Sequence, residues 1–197
     1  MKKLKKLFKH AVFLLAIAIA VAGCDNPIDE DDMTDFFYNI RGEKEIFTIT
    51  KDKVVIKCRS EAEARALTKH PVFISGYHVY VSQNLVYGGT IDPEKTNLDY
   101  FLMMPEVVSA AYGLKYNNGT SIYLPSDHIY VKLKEGYSIK EALNKVGLTE
   151  SVVEIDVSNA SSYRIYLDVD LGDIFRISRV LFESGYCEYA LPGYRLV

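Results

Sequence analysis

Apolar and polar positions along the chain follow the same order twice. One series, DKVVIKCRSEAEARAL, begins at Asp52, and a similar one, DHIYVKLKEGYSIKEAL, begins at Asp127. In each series a short β-branched and aromatic run predicts a strand, a lysine follows (Lys57 or Lys132), and apolar residues at helical spacing come next. This repetition indicates a fold in which one unit is written twice.

Each series contains the start of a helix directly after the strand. Ser60 is followed three residues later by Glu63, and Ser138 in the same way by Glu141. A serine hydroxyl in this position accepts a hydrogen bond from the backbone N–H three residues on, while the glutamate reaches back. Both pairs therefore predict a capped helix, and Gly147 is expected to end the second one.

A predicted hairpin follows each of these helices. The runs YHVYVSQ and LVYGGTI flank Asn84, and the runs SVVEIDV and YRIYLDV flank the polar SNASS stretch. Alternating apolar runs separated by a short polar turn are typical of paired strands.

A second helix and a last strand complete each half. The apolar faces of these helices have the same spacing, 79 residues apart: Leu98, Phe101 and Leu102, then Ile177, Val180 and Leu181. PEVVSAAYG and SGYCEYALP follow as final strands. The predicted fold class is α+β, with two tandem ferredoxin-like (βαββαβ) units whose antiparallel sheets carry helices on one face.

The predicted boundaries follow from this reading. Residues 36–124 form the first unit and include an added N-terminal hairpin, FFYNIRGEKEIFTIT; residues 125–197 form the second. Asn-Gly in YNNGTSIY predicts a type I′ hairpin between them. No Gly- or Ser-rich linker separates the halves, so we expect them to pack together.

The first 23 residues predict a signal peptide, with five lysines followed by an apolar run. Ala11 to Gly23 is uncharged for 13 residues, which is too short to span a bilayer. VAGC resembles the lipobox of bacterial lipoproteins, which implies cleavage after Gly23 and acylation of Cys24.

Residues 24–35 are read as an acidic tether, and their carboxylates also resemble surface-export signals of some Gram-negative lipoproteins. The expected location is the cell envelope, with a lipid anchor for which the outer membrane is favoured. Surface exposure and a plain solvated tether both stay open, and the sequence does not say which leaflet carries the anchor.

The net charge narrows the classes of partner, and the cysteine spacing bears on metal binding and disulfide formation. Removing the five signal lysines leaves 18 basic and 26 acidic side chains, a net charge of −8, which argues against a nucleic-acid partner. The remaining cysteines, Cys58 and Cys187, have no metal-binding spacing, and either a disulfide or two buried thiols is compatible with the sequence.

The sequence offers little catalytic chemistry. His70, His78 and His128 lie in no recognisable catalytic motif, and structural roles are favoured for them. Among the carboxylates, Asp168, Asp170 and Asp173 invite a calcium interpretation, but helix capping is the commoner role. The 15 tyrosines are explained mostly by sheet packing. We expect a non-enzyme with no cofactor and no metal.

From Phe36 onward the chain resembles the N-terminal pro-region of subtilisin-like serine peptidases, without the peptidase. The matching stretches are FFYNIRGEKEIF, DHIYVKL and LFESGYCEYALPGY. In the closing motif the matching residues are Tyr189, Ala190, Leu191, Pro192 and Tyr194, whereas Gly193 departs from the usual polar residue. The resemblance implies a chaperone and inhibitor whose protein-binding tail, Pro192, Gly193, Tyr194 and Arg195, lies in a protease cleft.

Two functions follow as hypotheses. The first is a lipid-anchored, detached pro-region that inhibits or chaperones a subtilisin-like protease. The second is a surface-exposed binding module for a protein or glycan partner. An exposed apolar or aromatic patch away from the C-terminus would favour the second.

Overall fold

The strands of both halves join in one curled antiparallel sheet. The computed structural model describes residues 34–74, 80–116, 120–159 and 161–197. Its strands are β1 (Thr34–Tyr38), β2 (Lys44–Cys58), β3 (Tyr80–Ser82), β4 (Leu85–Thr90), β5 (Val107–Tyr116), β6 (Ile122–Leu133), β7 (Val152–Asn159), β8 (Ser162–Leu167) and β9 (Cys187–Leu196). Its helices are α1 (Glu61–Leu67), α2 (Leu98–Leu102), α3 (Ile139–Lys145) and α4 (Ile174–Glu183), with 3-10 turns at Thr149–Ser151 and Leu171–Asp173.

The predicted class of two tandem ferredoxin-like units is wrong. Strand residues make up 48% of the described chain, and the sheet runs β3-β4-β2-β5-β6-β8-β7, with β1 added to β2 and β9 added to β6. The two halves share this sheet because β5 and β6 pair directly: Leu114 lies opposite Tyr123 and Lys115 opposite Ile122. Residues 34–197 therefore form one compact unit, and position 125 falls inside β6.

Two long strands bend at bulges and serve both halves. β2 pairs with β1 near its start and with β4 near its end, and its register with β5 shifts between Thr50 and Val54. β6 shifts against β9 between Pro125 and Ile129. Because extra residues at a bulge change which face a side chain occupies, each strand contributes to more than one core.

The N-terminal hairpin pairs as predicted but packs across the chain. Phe37 and Phe47 are buried in the core cluster formed mainly by the second half. Arg179 of α4 donates to the Asp35 carboxylate at 2.9 Å, and Tyr38 donates to Glu183 at 3.1 Å. These hydrogen bonds join helix α4, near the end of the described chain, to strand β1 at its beginning.

The local predictions are mostly confirmed. Ser138 and Glu141 form the complete reciprocal capping box, and the Glu63 N–H donates to Ser60. The hairpins β3–β4 and β7–β8 form as predicted, whereas residues 75–79 and 117–119, with the predicted type I′ turn, lie outside the described residues. Of the predicted helix faces, Leu102 is wrong, since it is 48% exposed on a helix of only five residues.

Candidate functional site

The predicted tail continues the last strand. Pro192 lies opposite Ile129, Tyr194 opposite Pro125 and Arg195 opposite Leu124, within the β6–β9 ladder. Val197 exchanges two backbone hydrogen bonds with Ile122. Residues 193–197 are therefore held against β6, and the role of Pro192, Gly193, Tyr194 and Arg195 in binding a protease stays a prediction.

Gly193 occupies a position that has no room for a side chain. A Cβ atom there would lie 2.5 Å from the His128 carbonyl oxygen and 2.7 Å from its Nε2 atom. Because the bulge in β6 brings this backbone so close, glycine is required for packing.

A polar cluster beside this bulge ties three strands together. Lys57 of β2 pairs with Asp127 of β6 at 3.3 Å, and the Tyr87 and Ser126 hydroxyls of β4 and β6 hydrogen-bond at 2.8 Å. Burial alone would raise the pKa of Asp127, but the hydrogen bond from His128 and the charge of Lys57 lower it. Both charged side chains are almost buried, and the pair joins β2 of the first half to β6 of the second. We call this contact region between the two halves the seam.

The histidines that the structure describes have structural contacts. The Nδ1 atom of His70 accepts from the Val72 N–H at 3.2 Å, and the ring of His128 packs against Tyr130 and Tyr166. His78 lies outside the described residues. The buried Ser126 hydroxyl is hydrogen-bonded to the Tyr87 hydroxyl.

Two of the three aspartates, Asp170 and Asp173, are not caps. Asp170 and Asp173 precede helical turns without a side-chain capping bond, and Asp173 instead pairs with Arg176 at 3.0 Å. The capping interpretation is therefore wrong for Asp170 and Asp173. Over the described ranges, no three or more His, Cys, Asp or Glu side chains come together as a possible metal site.

Both cysteines are buried free thiols, which decides between the two alternatives that the sequence left open. Cys58 belongs to the core of the first half and Cys187 to that of the second. Burial raises the pKa of each thiol from 9.0 to about 11. The thiolate that reacts with disulfides and electrophiles is therefore scarce at neutral pH.

Strand β7 carries a surface that the sequence analysis did not single out. We call Val153, Ile155 and Val157 the apolar strip of β7; Glu154 and Asp156 alternate with them. Its three apolar side chains are 67%, 36% and 66% exposed, in chain order. They are uncovered because β7 lies at the end of the sheet order, beyond the helices that bury its neighbour β8.

The register of β7 explains its alternation. Ile155 and Val157 lie opposite Ile165 and Tyr163 of β8, on the face that packs against the core, while the alternate positions carry the two carboxylates. Val153 is the extra residue of a bulge between Val152 and Glu154. The pattern Val-Glu-Ile-Asp-Val is the available sequence signal, but alternation alone predicts a buried face.

Comparisons with known protein families, with curated proteins and with solved structures find no match. Across the described ranges, no helix has the length and apolar character needed to span a membrane. Cys24 and the predicted signal peptide lie outside those ranges.

Proposed function

We propose that the protein is a non-catalytic binding module of the cell envelope, anchored by lipid at Cys24, that uses β7 to bind a partner protein. The observation that carries the proposal is the exposed apolar strip of Val153, Ile155 and Val157. Such a strip lies away from the C-terminus, and contiguous exposed apolar side chains are typical of interaction sites.

The chemistry of the strip favours a protein over a glycan. Its exposed residues are aliphatic, whereas sugar rings stack best on exposed aromatic faces. Tyr130 and Tyr166, two of the tyrosines on strands β6 and β8, are already engaged: Arg164 lies over the Tyr130 ring at 4.9 Å and donates to the Tyr166 hydroxyl at 3.4 Å.

The protease-inhibitor hypothesis has less support from the geometry. An inhibitory tail has to lie extended in a protease cleft, and Pro192 to Leu196 are paired with β6. A protease assay separates the two functions: slowed turnover of a subtilisin-like protease by the full chain at micromolar concentration would favour the inhibitor.

The proposal is tested by photocrosslinking in cells that produce the full, lipidated chain. A benzophenone amino acid is placed at position 155 and, as controls, at positions 108 and 137, where Val108 and Tyr137 are also exposed. We expect a discrete protein adduct from position 155 and not from the controls. Absence of an adduct at 155, or equal adducts at all three positions, would contradict a binding role for β7.

A further inference from the structure

We infer that β7 binds an extended, basic segment of its partner by strand addition, so that the partner becomes the next strand of the sheet. This inference rests on the proposed function and specifies the partner's chemistry. It depends on the free edge, the exposed apolar face and the uncompensated carboxylates of β7.

The backbone of β7 offers one free edge. It pairs with β8 over Val152 to Asn159, and among the described residues no other strand pairs with it. In an edge strand about half of the N–H and C=O groups point away from the sheet and can template another chain. Eight residues are long enough to fix the register of a bound strand.

On the opposite side of the same half, helix α4 covers the edge strand β9, whereas no helix of the described residues packs along β7 in the same way. The Ser178 hydroxyl of α4 donates to the Ala190 carbonyl of β9 at 2.6 Å. Pro192 in the same strand lacks an N–H group, and α4 packs along β9. Within β7 there is no proline or lysine, the residues that commonly block an exposed edge.

The carboxylates of β7 define the charge of the partner. Neither Glu154 nor Asp156 has an ion pair or side-chain hydrogen bond within the described part of the chain. Arg164 lies opposite Asp156 in the register, but its guanidinium is directed to Tyr130 and Tyr166. A bound strand with Lys or Arg opposite these carboxylates would place opposite charges side by side.

The same charges disfavour a second copy as the occupant. Antiparallel pairing of two β7 strands about Ile155 would bring Glu154 of one copy opposite Asp156 of the other. Like charges directly opposite each other destabilise a strand pair. The fitting segment therefore alternates apolar residues, which extend the strip of Ile155 and Val157, with basic residues.

The test uses the full chain purified in detergent and the blocked peptide TVKVRVT, with TVEVDVT as the control of opposite charge. Binding is measured by fluorescence anisotropy at low salt. We expect saturable binding of the basic peptide and about tenfold weaker binding of the acidic one, because two cross-strand pairs change from opposite to like charge. Equal binding of the two peptides would overturn the inference.

A charge exchange places the interaction on β7. The double variant E154K/D156K should lose about tenfold in affinity for the basic peptide and gain affinity for the acidic one. The matched variant E94K/E135K makes the same change of net charge at two exposed positions elsewhere and should leave both affinities unchanged. Similar losses in both variants would mean a nonspecific charge effect and would overturn the inference.

Backbone methylation tests for strand addition itself. Two further peptides carry N-methyl groups on alternate residues, one along each edge, with all side chains retained. One methylated edge should abolish binding and the other should not, because only one edge faces β7. Retained binding of both would rule out strand addition.

The outcomes separate this inference from the proposed function. A crosslink at position 155 without peptide binding leaves β7 as a partner site but refutes the basic strand. Peptide binding without a crosslink in cells would show the recognition chemistry and refute the proposed cellular role.

Discussion

The pair of Lys57 and Asp127 should stabilise the seam between the halves far more than a surface ion pair does. The two charges are 3.3 Å apart, and their side chains are 12% and 14% exposed. At an effective dielectric constant of about 20 this distance corresponds to an attraction of about 5 kcal/mol before desolvation. Because desolvation offsets part of it, we expect a net coupling of about 2 kcal/mol.

The coupling is measured by a double-mutant cycle with Lys57→Met and Asp127→Asn in urea unfolding. Each single variant should lose about 3 kcal/mol in free energy of unfolding, since it leaves a nearly buried charge without its partner, and the double variant less than the sum. The control cycle removes Lys95 and Asp92, a pair at 2.7 Å whose lysine is 80% exposed, and should give below about 0.5 kcal/mol.

The pH dependence has a defined sign. The folded-state pKa of Asp127 is lowered from 3.8, so the pair stabilises the fold above that value, and its contribution is lost as the pH falls below it. A coupling below about 0.5 kcal/mol at neutral pH, or one unchanged in acid, would refute the assignment of this pair as the tie across the seam.

Three further predictions concern the core, the bulge and a cap. Burial raises the pKa of the Cys58 thiol from 9.0 to about 11, so the stability that this thiol contributes is lost as the pH rises above 9.0. The difference in unfolding free energy between the parent and Cys58→Ala should therefore shrink by about 1.4 kcal/mol from about pH 8 to about pH 10. A constant difference over this range would contradict the prediction. Gly193→Ala should destabilise by more than about 2 kcal/mol in urea unfolding because its Cβ meets the His128 carbonyl, whereas Gly172→Ala, with nothing within 4 Å, should be nearly neutral; equal effects would count against the steric argument. Ser138→Ala should lower the free energy of unfolding by about 1 kcal/mol through loss of the α3 capping box, and an unchanged midpoint would show that the cap does not contribute.

Local elements could be predicted from the sequence because their determinants lie close together along the chain. The capping box at Ser138 and Glu141 and the β7–β8 hairpin depend on residues only a few positions apart. The Asn-Gly signal predicts a hairpin where the halves meet, and Leu114 does pair with Tyr123 beside it. That this pairing merges the strands of both halves into one sheet could not be predicted, because no residue pattern within either half indicates it. A strand pattern predicts that a strand forms but not which other strand it pairs with.

The candidate site was missed for a related reason. An alternating strand such as Val153 to Val157 predicts one buried face, and its exposure becomes visible only once the sheet order places β7 last. Conversely, the resemblance to a pro-region implies a cleft-directed tail at Pro192 to Arg195, and no local pattern in these residues indicates a distant partner strand. Pairing with β6 supplies that partner.

The most direct test of the account is residue-resolved amide hydrogen exchange of the full chain with and without the peptide TVKVRVT. If the peptide adds a strand to β7, alternate amides between Val152 and Asn159 should gain protection, because only those on the free edge acquire new hydrogen bonds. The amides of Gly193 to Arg195 should be unchanged. Protection confined to that C-terminal segment, or spread evenly over β7 and β9, would contradict the central claim that β7 is the binding edge.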